Sequence, residues 1–347
     1  MRRAGVVLAA AWLVAAALAP WVAPYNPAAR HEGFEYAPPT RVRIFATGGA
    51  APYFHPVRLV SALERRFEED RSKRAGIKAF PEGHLFGSAA AGEPILLLGA
   101  DGSGRDVFSR LVFGARASLA LAVIAAGLAA LIGLAVGLVA GYAGGRVDAA
   151  LTRLSELVLV LPALYVVVAL RAAMPLVLSS GAVFLLLTAI FALVAWPAPA
   201  RGVRAIVASE RTRTYVEAAR AAGARRRRVL VRHLLPAAGG FVWTQFAVLV
   251  PSCLIFEGAL SFAGLGFPYH VATWGTMLHE AANVGALASA PWLLAPAVSI
   301  VSVVLAINLI VESKSGAIEH GLVATPPITS RPYPGRKGAV QASRLPS

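Results

Sequence analysis

The chain has 347 residues, 57% of them apolar, and a formal net charge of +15 at pH 7. This composition, with a mean hydropathy of +0.64, excludes an ordinary soluble domain and predicts a protein that crosses a membrane several times. Ten of the 33 basic residues lie within positions 201–232, between apolar runs. That placement is typical of a cytoplasmic loop, so the charge does not indicate nucleic-acid binding.

Six apolar stretches are each close to the roughly 20 residues that a helix needs to cross a bilayer. They cover residues 4–23, 117–140, 154–170, 181–200, 239–262 and 291–311. Because these runs are continuous and do not alternate with polar residues, they predict helices and not the strands of a barrel. We therefore expect an all-α membrane protein with six transmembrane helices. A cytoplasmic basic loop then places both chain termini in the cytoplasm.

The first apolar run follows two arginines and ends in small residues, as a cleaved signal peptide does. It is longer than a typical signal core, which favours a retained anchor helix within residues 1–24. Residues 25–98 are polar and carry charges of both signs, which indicates a small extracytoplasmic insert between the first two helices, either folded or a solvated linker. Within it, alternation predicts a strand at 41–45, and amphipathic spacing predicts a short helix at 59–73.

The segment LGADGSGRDVFSRLVFGARASL at residues 98–119 leads into the second span. Asp101 is suited to cap a helix, and Asp106 is suited to a first helical turn. Long aliphatic stems would let three arginines anchor this helix at the headgroup level: Arg105, Arg110 and Arg116. Further along the span, small residues recur every four positions and predict a face that another helix approaches closely: Gly133, Gly137 and Gly141.

The segment EAARAAGARRRRVLVRHLLP at residues 217–236 is strongly cationic and lies between two apolar runs. Its alanine-rich flanks favour helix and Gly223 interrupts them, which predicts two short helices joined by a bend. Glu217 and Arg220 are spaced for an ion pair within the first helix. Pro236 should mark the end of the second helix before the next span. The four consecutive arginines are suited to anionic lipid or to a partner protein.

Motifs for catalysis and metal binding are missing from the sequence. There is no GxxxxGK[ST] for a nucleotide, and His279-Glu280 is followed by Asn283 where a zinc protease needs its second histidine. Cys253 is the lone cysteine, so neither an internal disulfide nor a thiolate metal cluster can form. We expect no catalytic residue, no metal site and no cofactor. Glu257 is the one acid expected at membrane depth, where it would serve either a substrate pathway or a structural hydrogen bond.

Three motifs together resemble the permease subunits of ABC transporters. The E-A-A, Gly and L-P spacing of residues 217–236 resembles their cytoplasmic docking loop, with His233 at a position usually held by isoleucine. Residues 98–119 resemble the stretch LGTDxxGRDVxSRxxxGxRxSL, and residues 257–267 resemble ExxLSFLGLG, with one alanine departure in each. The similarity extends over about residues 98–309 and points to the dipeptide, oligopeptide and nickel branch of binding-protein-dependent importers.

This resemblance implies the fold of a type I ABC importer permease. It implies a core domain at residues 99–312 and a docking loop at residues 201–236. The resemblance fades beyond about residue 309, and the proline- and arginine-bearing composition of residues 313–347 predicts a disordered cytoplasmic tail. It also implies eight residues that dock on an ATPase: Tyr215, Glu217, Ala218, Ala219, Gly223, His233, Leu235 and Pro236.

The function that the resemblance implies is that of a permease subunit of an ATP-driven importer in the bacterial cytoplasmic, or inner, membrane. The subunit would form half of the pathway for peptides or a related small solute, with a second permease subunit as heterodimer partner. Two ATP-binding subunits would hydrolyse ATP, and an extracytoplasmic solute-binding protein would deliver the solute. A secondary transporter and an intramembrane protease are the alternatives. The sequence shows neither inverted repeats, nor broken helices with charged pairs, nor a histidine within a predicted span.

Overall fold

The computed structural model describes residues 2–43, 52–61, 65–79, 85–88, 93–175 and 178–323. Its helices in chain order are α1 (Arg2–Ala17), α2 (Ala19–Val22), α3 (Val107–Ala143), α4 (Gly145–Val160), α5 (Ala163–Ala172), α6 (Ser180–Ala195), α7 (Pro197–Glu210), α8 (Thr214–Ala221), α9 (Arg226–Val229), α10 (Leu235–Phe262), α11 (Trp274–Ala281), α12 (Val284–Ser289) and α13 (Ala295–Val323). A π-helical turn, Leu230–Leu234, joins α9 to α10, and a 3-10 turn, Pro291–Leu294, precedes α13. Helix α13 thus continues into the predicted tail, of which residues 324–347 lie outside the described ranges.

Three helices of the described chain are long and apolar enough to cross a membrane: Val107–Ala143, Arg226–Phe262 and Pro291–Glu312. The third and fourth predicted spans are bent pairs, α4 with α5 at 84° and α6 with α7 at 43°, and counting each pair as one span gives up to five. Helix α1 has 16 residues, fewer than the roughly 20 that a crossing needs. The protein is therefore a mostly helical, multi-pass membrane protein, and its described residues contain three to five candidate spans by length and composition.

A proline lies at each of the two bends. Leu161 is extended, with ψ 131°, because the following Pro162 disfavours helical geometry in the residue before it. Pro197 lies in the first turn of α7, where its missing N–H leaves no hydrogen bond unmade. The expectation of spans without breaks is wrong at these two places, since hydropathy alone does not register a proline within an apolar run.

Helix α3 packs against α7 along its predicted face of small residues. A Cβ atom added to Gly133, Gly137 or Gly141 would lie 2.8, 2.6 or 2.7 Å, respectively, from a backbone carbonyl oxygen. Those three oxygens belong to Trp196, Ala200 and Arg204. The predicted close approach is confirmed, and the missing side chains of the three glycines let both the backbone of α7 and its Pro199, Val203 and Val207 side chains pack directly on α3.

Six short strands occupy the described part of the segment between α2 and α3: β1 (Val42–Arg43), β2 (Tyr53–Phe54), β3 (Val57–Ser61), β4 (Arg66–Glu69), β5 (Ala75–Ala79) and β6 (Phe86–Ser88). They form an antiparallel sheet in the order β1-β2-β5-β6 and a separate β3-β4 hairpin. The predicted strand is confirmed at Val42–Arg43, and its last two positions lie outside the described residues. The described residues of this segment are therefore folded, which decides between the two expectations for them.

The β3-β4 hairpin replaces the helix predicted at residues 59–73, and that prediction is wrong. Phe67 lies opposite Leu59 across the two strands, and Arg65 adopts φ +48° at the turn. Phe67 packs with Val57 against a small buried core. Alternate positions of β4 differ in exposure, so its apolar residues follow the two-residue repeat of a strand and not the repeat of a helix. The all-α expectation therefore holds for the membrane helices and not for this segment.

A buried group of charges lies where the chain enters α3. Asp106, and not Asp101, caps the helix, since its carboxylate accepts the Ser109 N–H at 2.8 Å. Asp101 instead pairs with Arg105 at 2.7 Å and with Arg110 at 3.4 Å. These two arginines are only 2% and 0% exposed, so the prediction that they anchor the helix at the headgroup level is wrong. The Asp101 carboxylate draws both guanidinium groups inward.

Candidate functional site

The predicted docking loop contains two short helices joined at Gly223, as the sequence predicts. They are α8, Thr214–Ala221, and α9, Arg226–Val229. Gly223 has φ +80°, a left-handed conformation that most residues with a side chain adopt only at a cost. A Cβ atom at this position would meet nothing within 4 Å. The bend therefore depends on the backbone conformation of Gly223 and not on close packing around it.

Pro236 does not end the second helix, contrary to the prediction. The chain continues from α9 through the π-helical turn Leu230–Leu234, and Pro236 is the second residue of α10. Proline lacks an N–H and its ring crowds the preceding turn, so a wider turn directly before it lets the helix continue. As a result Arg226–Phe262 is one continuous helix, and α9 is directly joined to a membrane span.

The predicted docking residues lie mostly on the surface. The exposed ones are Tyr215, Glu217, Ala218, Gly223 and Pro236, and the half-buried ones are Ala219, His233 and Leu235. The rings of Tyr215 and His233 lie 5.8 Å apart between centroids, which brings α8 against the π-helical turn. The Tyr215 hydroxyl donates to Glu210 at 2.7 Å, and this hydrogen bond raises the pKa of Tyr215.

Glu217 and Arg220 do not form the predicted ion pair. Across the part of the chain that the structure describes, Glu217 pairs with no cation, and the Arg220 guanidinium lies 5.3 Å from the ring centroid of Tyr142. An exposed ion pair contributes little, so a contact with an aromatic face competes with it readily. Glu217 consequently remains available on the surface of α8.

A small apolar core attaches the docking loop to the helices behind it. Its six buried members come from α7, α8, α9, the π-helical turn and α10: Val203, Val207, Val216, Val229, Leu234 and Ala238. Val216 is the buried residue of α8, and Val229 is the buried residue of α9. Each short helix therefore has one apolar anchor, while its other surfaces stay open to a partner.

Polar contacts also join this region to α3 and α4. Arg211, just after α7, donates to the backbone oxygens of Gly141 and Tyr142 at 3.1 and 3.2 Å. These carbonyls lie in the last turn of α3, where a helix has no internal donors left. Arg204 of α7 binds both carboxylate oxygens of Asp148 in α4, with Nη2 2.7 Å from Oδ2. Sequence spacing gives no signal for these contacts, whose partners are 56 to 70 positions apart.

Glu257 lies inside α10 and is fully buried. Its carboxylate accepts hydrogen bonds from Ser118 of α3 at 3.1 Å, from Ser261 at 3.0 Å and from Thr273 at 2.7 Å. Gly275 leaves room for it, because a Cβ there would lie 2.5 Å from Oε1. These contacts agree with a structural hydrogen-bonding role, and a role in the solute pathway stays a prediction.

Within the described residues, no group of three or more His, Cys, Asp or Glu side chains is placed to hold a metal ion. Cys253 is a free, buried thiol in α10. The docking residues are surface groups of two helices and a bend, an arrangement that can bind another protein by shape and charge.

Comparison with known proteins identifies the family. The family described as "Binding-protein-dependent transport system inner membrane component" matches residues 133–322, more than half of the chain. The chain belongs to this family. The matched range begins at the glycine face of α3 and includes the whole docking loop and Glu257, so the geometry described above lies mainly within it.

Three relatives illustrate the branch. The oligopeptide transport system permease protein OppC of Bacillus subtilis is 33% identical over 65% of this chain and 71% of its own length. The dipeptide transport system permease protein DppC of the same organism is 36% identical over 65% of this chain and 68% of its own length. The glutathione transport system permease protein GsiD of Pectobacterium atrosepticum is 34% identical, over 65% of this chain and 72% of its own length.

The protein is thus a permease subunit of an ABC importer in the oligopeptide and dipeptide branch, and that prediction is confirmed. ATP hydrolysis resides in partner subunits, and importers of this family also use a solute-binding protein. The secondary transporter and intramembrane protease alternatives find no support among these relatives.

Proposed function

We propose that the permease forms half of the transmembrane pathway through which peptides, or a related small solute, enter the cell. The relatives are named for oligopeptide, dipeptide and glutathione transport, so the chemistry they share is that of a peptide. A second permease subunit completes the pathway as a heterodimer, two ATP-binding subunits bind the docking loops, and an extracytoplasmic solute-binding protein delivers the peptide. The observation that carries this proposal is an exposed helix–glycine–helix segment held against α7 and α10 by a shared apolar core.

The proposal includes six spans, with α1 and α2 together forming the first and each bent pair forming one. Residues 2–22, which contain α1 and α2, reach the roughly 20 residues that a crossing requires. The arginine-rich docking loop then lies in the cytoplasm with both termini, and residues 25–98 form the extracytoplasmic insert. A membrane-impermeant thiol reagent should label Ser72→Cys in intact cells and Ala222→Cys only after permeabilisation. The reverse pattern would overturn this orientation.

A movement of the docking loop is transmitted through contacts that the chain itself makes. Helices α8 and α9 share an apolar core with α7, and α7 contacts the glycine face of α3 backbone to backbone. The pair between Arg204 and Asp148 adds α4. Because tightly packed helices shift as bodies more readily than they deform, closure of the ATPase pair tilts α7, α3 and α4 together. The pathway then opens alternately to the two sides of the membrane.

Gly223→Pro and Glu217→Lys test the coupling. Proline fixes φ near −65°, whereas Gly223 has φ +80°, and lysine reverses the exposed charge of α8. Each change should leave membrane insertion intact and reduce peptide uptake roughly tenfold or more, since about 1.4 kcal/mol of lost docking free energy weakens binding tenfold. The matched control is Gly223→Asn, because asparagine tolerates the left-handed conformation. Normal uptake and normal ATPase co-purification in both test variants would contradict the proposal.

A further inference from the structure

An open groove of about 890 Å³ lies beside the bend of the docking loop. Seven residues line it: Gly223, Arg225, Arg227, Arg228, Val231, Arg232 and Pro236. Four of the seven are arginines, and Gly223 and Pro236 belong to the predicted docking residues. The groove therefore belongs to the same surface that we propose for ATPase binding.

The arginines of this groove are unpaired in the part of the chain that the structure describes. All four are exposed, and among the residues that the structure describes none of them forms an ion pair. Like charges crowded within eight positions repel one another, and a protein gains nothing for its own folding from leaving them unpaired. A surface of this kind gains most when a molecule of opposite charge binds it.

Arg226 allows the effect of net positive charge to be distinguished from the effect of the groove itself. It lies in the same run and is exposed, but it does not line the groove. A surface selected only for net positive charge near a membrane would use all four consecutive arginines alike. The concave arrangement instead gathers Arg225, Arg227 and Arg228 with Arg232 around one space, next to Gly223.

We propose that this groove receives an acidic segment of the ATP-binding subunit. Its Asp or Glu side chains would pair with Arg225, Arg227, Arg228 and Arg232, since a guanidinium group binds a carboxylate through two parallel hydrogen bonds. This inference rests on the proposed docking function and adds the chemistry that selects the partner. The apolar anchors and the bend give the loop its shape. The arginines favour binding to an ATP-binding subunit whose docking surface is acidic.

The experiment measures the affinity of the purified ATP-binding subunit for the full-length permease pair in nanodiscs made of neutral lipid, over a range of potassium chloride concentrations. Arg227→Glu with Arg228→Glu should weaken binding by about 10- to 100-fold, because two charge-assisted pairs become repulsive, and should flatten the salt dependence. The matched control, Arg226→Glu, changes one charge outside the groove and should shift affinity by no more than about threefold. A compensating Asp→Arg or Glu→Arg change on the ATPase should restore binding to the Arg228→Glu variant.

Each other outcome is decisive. Unchanged affinity of the double variant, together with loss of binding in Gly223→Pro, would overturn the acidic-partner inference and leave the docking function standing. Unchanged affinity in both variants would remove the docking function as well. An effect seen only in nanodiscs with anionic lipid would assign the groove to lipid headgroups and overturn the inference. An equal loss in Arg226→Glu would show that net charge, and not the groove, governs binding. Thermal unfolding of each variant identifies any loss of fold, and Arg227→Gln with Arg228→Gln then provides a milder version of the same test.

Discussion

Arginine serves opposite purposes at the two ends of α3. Near Asp101, Arg105 and Arg110 are 2% and 0% exposed and share one carboxylate. Near Gly223, the arginines of the groove are exposed, and none forms an ion pair within the described residues. The same side chain fixes a loop in one arrangement at the first end and remains available for another molecule at the second.

At the end of α3 near Asp101, the two buried arginines lie close to carboxylates. Glu280 of α11 lies 3.7 Å from Arg105 and accepts the N–H of Gly102 at 2.7 Å. Burial, and then the nearby Asp101 carboxylate, raise the pKa of Glu280. Two carboxylates and two guanidinium groups therefore join the loop before α3, α3 itself and α11. Burying charge is costly unless it is paired, so Asp101 and Glu280 offset part of the cost of burying the two guanidinium groups, of which that of Arg110 has charge contacts but no hydrogen bond among the described residues.

The largest effect is expected from Asp101→Ala. The change leaves Arg105 and Arg110 buried without their nearest carboxylate, and breaking a buried pair in this way costs about 3–5 kcal/mol in the free energy of unfolding. Chemical unfolding of the permease in detergent measures it. Glu68→Ala removes a partner of Arg66 where the two side chains are 54% and 64% exposed, and should cost less than about 1 kcal/mol. Equal losses in the free energy of unfolding for Asp101→Ala and Glu68→Ala would show that the buried pairs contribute no more to stability than an exposed pair.

A smaller effect is expected from Gly137→Ala in the middle of α3. The added Cβ would lie 2.6 Å from the Ala200 carbonyl oxygen, so α7 must move away at a cost of about 1–3 kcal/mol. Because α7 leads into the docking loop, peptide uptake should fall as well. Gly127→Ala is the control in the same helix, since its Cβ would meet Phe246 only at 3.9 Å. If both alanine variants behave alike, the close approach of α3 and α7 does not carry the motion.

The sequence predicts the elements whose signals are local. The spacing of Gly133, Gly137 and Gly141 predicts a close helix contact, and the glycine at position 223 predicts two short helices joined by a bend. Apolar runs identify the membrane helices but not their bends, because one Pro162 changes a helix direction by 84° while hardly changing hydropathy. Local pattern also fails at Phe67, whose spacing fits a helix or a hairpin equally well.

Contacts between distant positions are what the sequence could not predict. Arg105 and Arg110 were expected to reach the headgroups, although their nearest carboxylate, Asp101, is only four and nine positions away. What the local sequence does not reveal is Glu280, which binds the Gly102 N–H from 178 positions away and adds α11 to the buried group. Likewise the spacing of Glu217 and Arg220 favours an ion pair, and only the fold brings Tyr142 to Arg220. An arginine in a membrane protein can contact lipid headgroups, pair with a carboxylate or bind a partner protein. Which of these it does depends on the fold.

The smallest effect on stability, and the sharpest test of coupling, comes from Asp148 and Arg204. Their side chains are 21% and 38% exposed, so a double-mutant cycle with Asp148→Asn and Arg204→Gln should give an interaction free energy of about 0.3–1 kcal/mol. If this pair passes motion from α7 to α4, the amount of peptide taken up per ATP hydrolysed should fall in each single variant while unfolding hardly changes. The exchanged pair, Asp148→Arg with Arg204→Asp, should recover part of that ratio. Loss of Asp101 would lower stability and uptake together, whereas loss of Asp148 would separate them, and an unchanged uptake ratio would mean that α4 follows α7 by packing alone.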